Sequence, residues 1–472
     1  MTRLWPSRRR DRTGAAEANA AGESSQPPPA SGQGGIWRFL PRTFDSFKDI
    51  EFRWFYLAML GQMAAMNMQL VVRGYLAYDL TGSYAALGLV SLAGAGPMLG
   101  LSVFGGVLAD RLPKRTVLQG GQFLSLVNAA FMSALLFMGL MTMPWLLGTA
   151  FAQGIVMALM MPARQSMVPE IVGMQRMMNA VSLNMAGMNT MRLFAPAAGG
   201  FIVELAGFRW AFFTMAVLYG VALSGLARVT WRPASSPGED GTPMLKVGLR
   251  SLVDIKDGLS YIVHDRLMFT ILAVSFVTSI LGMPYLFLLP GYVSDIFGGS
   301  GSEVGLLISI SAIGSLAGAL TLASLPDRHR GLILLGGTMI LAIGLIAFAQ
   351  TSNYWLAAGF IVFVGLGSAF RQALTQGLLH SYVEDAYRGR VMSVFMTQFS
   401  LMQFGTFGVG VVAEYVGIQQ SPGRPRCPPG HRRRDRLRLR APPAQARLTR
   451  VHVTRSKRRP PHRPLPWIHD GP

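Results

Sequence analysis

Long apolar runs, each closed off by Gly, Pro or charged residues, recur along this chain. They fall at 54–77, 85–108, 116–140, 144–163, 179–203, 208–229, 267–290, 303–325, 331–350, 354–377 and 391–417. At ~1.5 Å per residue each run is long enough, as an α-helix, to cross a hydrocarbon layer of about 30 Å. The pattern therefore predicts eleven spans and an all-α polytopic membrane protein.

The segments outside the runs divide the chain further. Residues 1–35 are Ala, Gly, Ser, Pro and Arg with no apolar stretch of signal-peptide type, which predicts a disordered tail. In "IWRFLPRTFDSF" Trp37, Phe39, Phe44 and Phe47 interleave with Arg38 and Arg42, a pattern that suits either a segment lying on the membrane surface or a plain linker. The expected organisation is a tail at 1–50, a six-helix bundle at 51–230, a linker at 231–266, a second bundle at 267–418 with five recognisable helices, and a basic Pro/Arg-rich tail at 419–472.

Charge supplies the orientation. The connections at 110–115, 164–176, 228–266, 326–330 and 384–390 all carry Lys or Arg, whereas those at 78–84, 141–144, 204–208, 291–302 and 351–353 carry none, with Arg209 at a border. By the positive-inside rule the N-terminus and the basic loops lie in the cytosol, with the chain in the inner (plasma) membrane. The formal charge of +20 belongs mostly to the tail, because residues 419–472 hold fifteen Lys or Arg against two Asp. That tail has one aromatic residue, Trp467, and no nucleic-acid fold signature, so nucleic acid is not an expected partner. The lone Cys427 allows no intrachain disulfide and no cysteine metal site. No Ser-His-Asp set, phosphate loop or metal spacing appears, so neither enzymatic activity, a cofactor nor a metal is expected.

A long internal repeat emerges when the chain is slid by 217 residues: Gly88-Leu89 lands on Gly305-Leu306, Ala95 on Ala312, and Asp110-Arg111 on Asp327-Arg328. Two sets of spans joined by a long connection are the layout of a duplicated transporter, in which two bundles rock about a shared site.

The stretch "GGVLADRLPKRTVL" at 105–118 resembles the loop between helices two and three of the major facilitator superfamily. Gly106, Asp110, Arg111, Lys114 and Arg115 match that pattern, while Pro113 stands where the family has a glycine. The resemblance covers about residues 50–417 and implies twelve helices in two six-helix bundles with both termini cytosolic. It also implies a cytosolic gate: Asp110 facing the start of span eleven, "YRGRVMSV", with Arg388 or Arg390 as partner, and Asp327 with Arg328 facing the start of span five near Arg176. A carboxylate near free helix N–H groups gains ~0.3–1 kcal/mol when exposed and up to ~2 when partly buried.

Span five carries "APAAGG", similar to the Gly-Pro-x-x-Gly-Gly motif of the family's antiporters, with Ala195 in place of the first glycine. Pro196 kinks the helix, and Gly199 and Gly200 permit close approach of a neighbour. Generic helix packing explains the same residues. Further stretches, "MPARQSMVPEIVGMQRMMNAVSLN" and "VVRGYLAYDLTGS", look like the secretion-effector branch that includes the enterobactin exporter. The implied role is export of small drug- or siderophore-like molecules by a monomer, with the proton as coupling ion. Uptake by symport and a non-transporting receptor or scaffold are the alternatives.

Where many proton-coupled exporters of the wider family carry an arginine in span four, this chain has Ala150. The mid-membrane ionisable residue in this reading is Arg192, and it must pair, reach water or meet an anionic group, because an unpaired cation there costs ~2.5–3.5 kcal/mol on insertion scales. Arg73, Asp79, Glu204 and Glu414 are expected near the other ends of spans, where they can snorkel. Gln62, Asn67, Gln69, Gln153, Asn189, Gln398 and Gln403 are candidates for a central cavity or for hydrogen bonds between helices. The 28 methionines suit an adaptable cavity or ordinary filler.

Eleven spans would place the basic tail outside, against the charge rule. From residue 419 Arg, Pro, His and Gln crowd in while Phe, Ile and Met almost vanish. The expectation is a twelfth helix lost to a frameshift.

Overall fold

In the computed structural model the described residues are 45–111, 113–229, 259–325 and 329–416; for 45, 102–111, 162, 165–166, 168–178, 181, 385–386, 388–389, 393 and 416 the description covers the backbone alone. The two expected tails beyond these bounds, the twelfth helix, most of the 231–266 linker, and Asp327 with Arg328 lie outside the described residues.

Regular structure among the described residues is helical. A short 3₁₀ turn, Asp45–Lys48, leads into α1 (Ile50–Thr81), α2 (Tyr84–Arg111), α3 (Lys114–Phe137), α4 (Met143–Ala206) and α5 (Phe208–Ala227). After the linker come α6 (Arg266–Gly282), α7 (Tyr285–Tyr292) with a π-helical turn Val293–Phe297, α8 (Gly301–Ser324), α9 (Arg330–Gln350), α10 (Tyr354–Tyr382) and α11 (Asp385–Val416). Nine stretches among the described residues are long and apolar enough to cross a membrane. The other two expected spans, 179–203 and 391–417, fall within the helices α4 and α11.

Helix α4, 64 residues of helical backbone, is not one rod, since its two arms run in opposite directions. Arg115 and Gln119 at the start of α3 bond the carbonyls of Ala227 and Leu226 at the end of α5, while Ser133 bonds Arg209 at its start. Trp54 and Gly61 of α1 meet Gly225 and Leu218 of the same helix, so α1 and α3 both run antiparallel to α5. Thr149 lies against Met132, and Met160 against Gly121, so the first arm opposes α3. Gly187 meets Tyr56, and Gly199 meets Met68, so the second arm runs with α1. The reversal falls between residues 161 and 187, in a stretch that holds Pro162, Pro169 and Gly173. Two crossings therefore share one helical segment.

The helix ends are set by local chemistry. Gly82 closes α1 at φ 66° and Gly298 closes the α7 segment at φ 65°, left-handed backbone that glycine adopts without a Cβ clash. Asp265 caps α6 by accepting from the N–H groups of Leu267 and Met268, and Asn353 caps α10 in the same way. Ser300 and Glu303 form a reciprocal capping box on α8. The starts of α2 and α8, Tyr84 and Gly301, are spaced by the repeat offset.

Apolar residues cover both faces of the helices, as a lipid environment requires. On α9, Leu332, Leu335, Met339, Ile343 and Ile346 form an exposed stripe at helical spacing, while Leu334, Gly337, Leu341, Gly344 and Phe348 form a buried stripe on the opposite face. The buried stripe packs on α10, where Gly337 meets Phe370 and Gly344 meets Val364. Within the first bundle Met132, Phe212, Met215 and Tyr219 form one part of the core, and Phe52, Met160 and Met167 another. Phe47, in the stretch read as a surface segment or a linker, packs on the rings of Phe52 and Tyr56.

Candidate functional site

Two bundles meet tightly at one end of their helices. This end carries Asp79, Glu204, Asp295, Glu303 and Glu414, and is called here the acidic end; the opposite end, with Lys114, Arg115, Arg330 and Arg390, is the basic end. The hydroxyl of Tyr78, from the last turn of α1, donates to Oδ2 of Asp295 at 2.6 Å, and the hydroxyl of Tyr84, at the start of α2, donates to the same oxygen at 3.0 Å. Oε2 of Glu414 on α11 accepts from the Ser83 hydroxyl at 3.0 Å and from the Tyr84 N–H at 2.8 Å. Ser300 donates to Glu204 at 2.9 Å.

Small residues let the backbones touch along this seam. A Cβ on Gly200 would strike the Gly301 carbonyl, and one on Gly305 would strike the Pro196 carbonyl, so α4 and α8 cross with no side chain between them. Gly199 packs on Met68 and Val72 of α1. The antiporter-like residues Pro196, Gly199 and Gly200 thus sit in the contact between α4 and its neighbours. Glu204 and Glu414, expected near the ends of spans, are exposed there and hold hydrogen bonds across the seam.

Inward of the seam lies a cavity of ≈ 240 Å³. Arg73 and Gln69 reach it from α1, Ser91 from α2, Gln153 from α4, Phe287 from α7, and Phe399 with Gln403 from α11. Both bundles therefore contribute to its wall. Arg73 is five residues before Tyr78, about 7.5 Å along the helix. The expectation that Arg73 snorkels from a span end is corrected here: α1 continues to Thr81, and Nε and Nη2 of Arg73 are buried with no hydrogen-bond partner. Burying such donors unmet costs ~1–3 kcal/mol each, more for a charged group. Gln403 presents a buried Oε1 that also lacks a partner.

The other cavity candidates divide. Gln153 lines the cavity but is held at both ends, its Nε2 donating to Ser125 and its Oε1 accepting from Asn128 at 3.1 Å. Asn67 donates to the Met63 carbonyl of its own helix, and Gln62 is buried; neither lines this cavity. Asn189 and Arg192 are exposed on the second arm of α4, with Arg192 one turn inward of Pro196 and within electrostatic reach of Tyr285 on α7. Met66, Met98 and Met157 line the cavity, whereas Met63, Met132, Met160, Met167 and Met215 are fully buried in helix packing, so methionine serves both uses.

Arg192 is not the sole cation at depth, a second correction. Arg371 of α10 is only 4% exposed, and its Nη1 donates to the hydroxyls of Ser275 and Ser279 on α6 at 3.2 and 3.0 Å. Both serines donate in turn to Oε1 of Gln398 on α11. Gln398 is thus tied into a network that joins three helices, away from the cavity. Ser275 and Ser279, at i and i+4 on one helix face, are the one local sign of this site.

Of the expected cytosolic gate, Gly106 lies within α2, while the side chains of Asp110, Arg111 and Arg388, and all of Asp327 and Arg328, lie outside the described residues. Arg115 donates to the Ala227 carbonyl at 2.7 Å, inside its own bundle. The Arg390 guanidinium lies over the Tyr387 ring, 5.7 Å from its centroid. Lys114 is half-buried at the first position of α3.

The sequence profile of the Major Facilitator Superfamily matches residues 55–413. This chain belongs to that superfamily. It is a multi-pass membrane transporter at that level of description. Over 339 residues this major facilitator is 23% identical to the staphyloferrin A transporter of Staphylococcus aureus, covering 70% of this chain and 82% of the relative. It is 26% identical to the enterobactin exporter EntS of Shigella boydii over 359 residues (72% and 78%), and 20% identical to macrolide efflux protein A of Streptococcus pyogenes over 375 residues (77% and 90%). Among solved structures, the nucleoside transporter NupG superposes with a TM-score of 0.60 at 15% identity, covering 79% of this chain and 92% of that one. A bacterial homologue of the human lysosomal transporter Spinster, inward-facing and unoccupied, gives 0.60 at 15% (77% and 82%). These two likenesses concern the fold alone.

Proposed function

We propose that this major facilitator is a secondary active transporter of the inner membrane that exports small, drug- or siderophore-like molecules by alternating access, in exchange for protons. The observation that carries the reading is a cavity walled by both bundles and shut at the acidic end by the Tyr78–Asp295 seam. With the N-terminus in the cytosol, as the loop charges argue, the seam faces outward and the cavity belongs to an inward-facing state. Export begins from that state by loading from the cytosol. The relatives named for siderophore export and macrolide efflux favour this direction and this substrate size. In the opposite state Asp110 acts as a latch at the basic end with Arg388 or Arg390 as partner, Asp327 acts likewise at the start of span five near Arg176, and the Gly-rich contact at Pro196, Gly199 and Gly200 keeps the outer end tight while the cavity is loaded. The transporter works as a monomer with no cofactor, and membrane lipid is its other partner.

Accumulation of candidate compounds in cells with and without the gene tests the proposal, with Asp110→Asn as control. Lower internal levels, restored to the gene-free value by Asp110→Asn, are expected. Higher levels would mean uptake by symport, and no change would leave a receptor or scaffold.

A further inference from the structure

The charge of the cavity bears on what it holds. Its wall contains one guanidinium, Arg73, and among the described residues that line it there is no Asp or Glu. Two nitrogens of that guanidinium are buried and unbonded. Tyr219 is within electrostatic reach of Arg73, but a neutral phenol offsets no charge, and its own hydroxyl is buried without a partner. A desolvated cation held in this way is stable only when an anion or water meets it. Arg192, one turn inward of Pro196, is exposed on α4 and does not line this cavity, so Arg73 is the cation on its wall. Around Arg73 the wall is mainly apolar, with Phe287 and Phe399 supplied by the second bundle. On the same wall Gln403 offers an unbonded acceptor.

We propose that the cavity is a binding site for amphiphilic organic carboxylates, with Arg73 receiving the carboxylate through its Nε and Nη2, and with Phe287 and Phe399 receiving the apolar body. The fork of Nε–H and Nη2–H matches the two oxygens of a carboxylate, which a point-charge lysine cannot do. Gln403 accepts a hydroxyl or amide hydrogen where the ligand carries one. A cationic ligand is disfavoured, because Arg73 repels it and no acid on the wall offsets it. Since Arg73 is on α1 and the two rings are on α7 and α11, a bound anion spans both bundles, as alternating access requires of a substrate. This assignment rests on the reading of the cavity as the substrate site.

The test is equilibrium binding to the full chain in nanodiscs of phosphatidylcholine, with three probes of one shape: 1-naphthoate, neutral 1-naphthamide and cationic 1-naphthylmethylamine. Naphthoate is expected to bind tighter than naphthamide by about 10- to 100-fold, the factor a hydrogen bond to a charged group commands, and the amine weakest. Arg73→Gln should bring naphthoate and naphthamide within about threefold of each other with naphthamide unchanged, which also shows that the variant is folded, and Arg73→Lys should keep part of the preference. Ser91→Asp, which leaves Arg73 in place and puts a carboxylate on the wall, should abolish the preference too and decides the matter where Arg73→Gln binds nothing. The proposal is overturned by equal binding of acid and amide to the wild type, by no binding of naphthoate, or by a variant that binds naphthamide normally and keeps the full anion preference. Loss of naphthoate binding when phosphatidylglycerol is added would assign the cavity to a lipid headgroup and overturn it as well. Direction of transport does not enter this measurement: a failed export assay with the anion preference intact would sink the proposed function and leave the site standing.

Discussion

Tyr78 and Asp295 meet at 2.6 Å across the seam, and they are 217 positions apart, the same offset that superposes the two sequence repeats. A residue that touches its own counterpart lies close to the axis relating the two repeats. The bond therefore lies near that axis, about one and a half helical turns from Arg73 on the closed side of the cavity, where the two bundles must part when this end opens.

Removing the acceptor should loosen this end. In Asp295→Ala the hydroxyls of Tyr78 and Tyr84, both on residues under 10% exposed, lose their shared partner in the closed seam but regain water when it opens. Leaving one such group unmet costs about 1–3 kcal/mol, which shifts a two-state equilibrium by roughly 5- to 150-fold. A cysteine at Ser302, now 6% exposed, in a Cys427→Ala background reports it. Its labelling by a membrane-impermeant maleimide should accelerate severalfold, and an unchanged rate would mean that the tyrosine clasp does not hold the seam.

A steric wedge should act in the same direction without touching any charge. The Cβ of Gly305→Val would run into the Pro196 carbonyl and sit 2.9 Å from the Cα of Ala197, and backbone cannot move aside as a side-chain tip can. Overpacking of this kind costs about 1–3 kcal/mol. The expected result is a carrier trapped open at the acidic end, with transport lost and the Ser302 reporter labelled fast. Retained transport at wild-type rate would show that α4 and α8 separate less than the seam geometry requires.

The helices were legible in the sequence because membrane spans are long and apolar, so hydropathy and length decide them without tertiary information. The seam was not, since its partners are far apart in the chain and carry no local signal. Arg73 illustrates the middle ground. Its place inside an apolar run was visible, but reading span one as ending at residue 77 put it near an interface, whereas α1 runs to Thr81 and buries it. Arg371 carries little local signal for a similar reason: it lies close to the expected end of span ten, and its serine partners are 96 and 92 residues away. Gln69, Gln153 and Gln403 were visible as polar residues in spans, yet only packing separates them from Gln398, which is the same residue type turned to a structural network.

That network offers a stability test independent of the cavity. Gln398→Leu removes the acceptor shared by the Ser275 and Ser279 hydroxyls, both buried. Interhelical hydrogen bonds in membranes average about 0.6 kcal/mol and reach about 1.7, so a loss near 1–2 kcal/mol is expected for the pair. Thermal unfolding in detergent should fall by a few degrees, with the naphthoate preference unchanged. A changed preference with unchanged stability would place Gln398 in the binding surface instead.

Orientation decides what the closed seam means for the cell. If the basic loops face the cytosol, the sealed acidic end faces outward, and substrate enters from the cytosolic side; the reverse orientation would make the same structure a carrier loaded from outside. The charge argument is physical, since Lys and Arg flanking the spans resist translocation more than Asp or Glu do. Single cysteines at Gly82 and at His329, again with Cys427→Ala, separate the two cases in intact cells. Gly82 lies between α1 and α2 at the acidic end and leaves space for a side chain, though its left-handed backbone makes the change mildly strained. His329 precedes α9 at the basic end, and is exposed. The impermeant maleimide should label Gly82→Cys directly and His329→Cys only after permeabilisation. Labelling in the opposite order would invert the topology, and with it the assignment of the cavity to an inward-facing exporter.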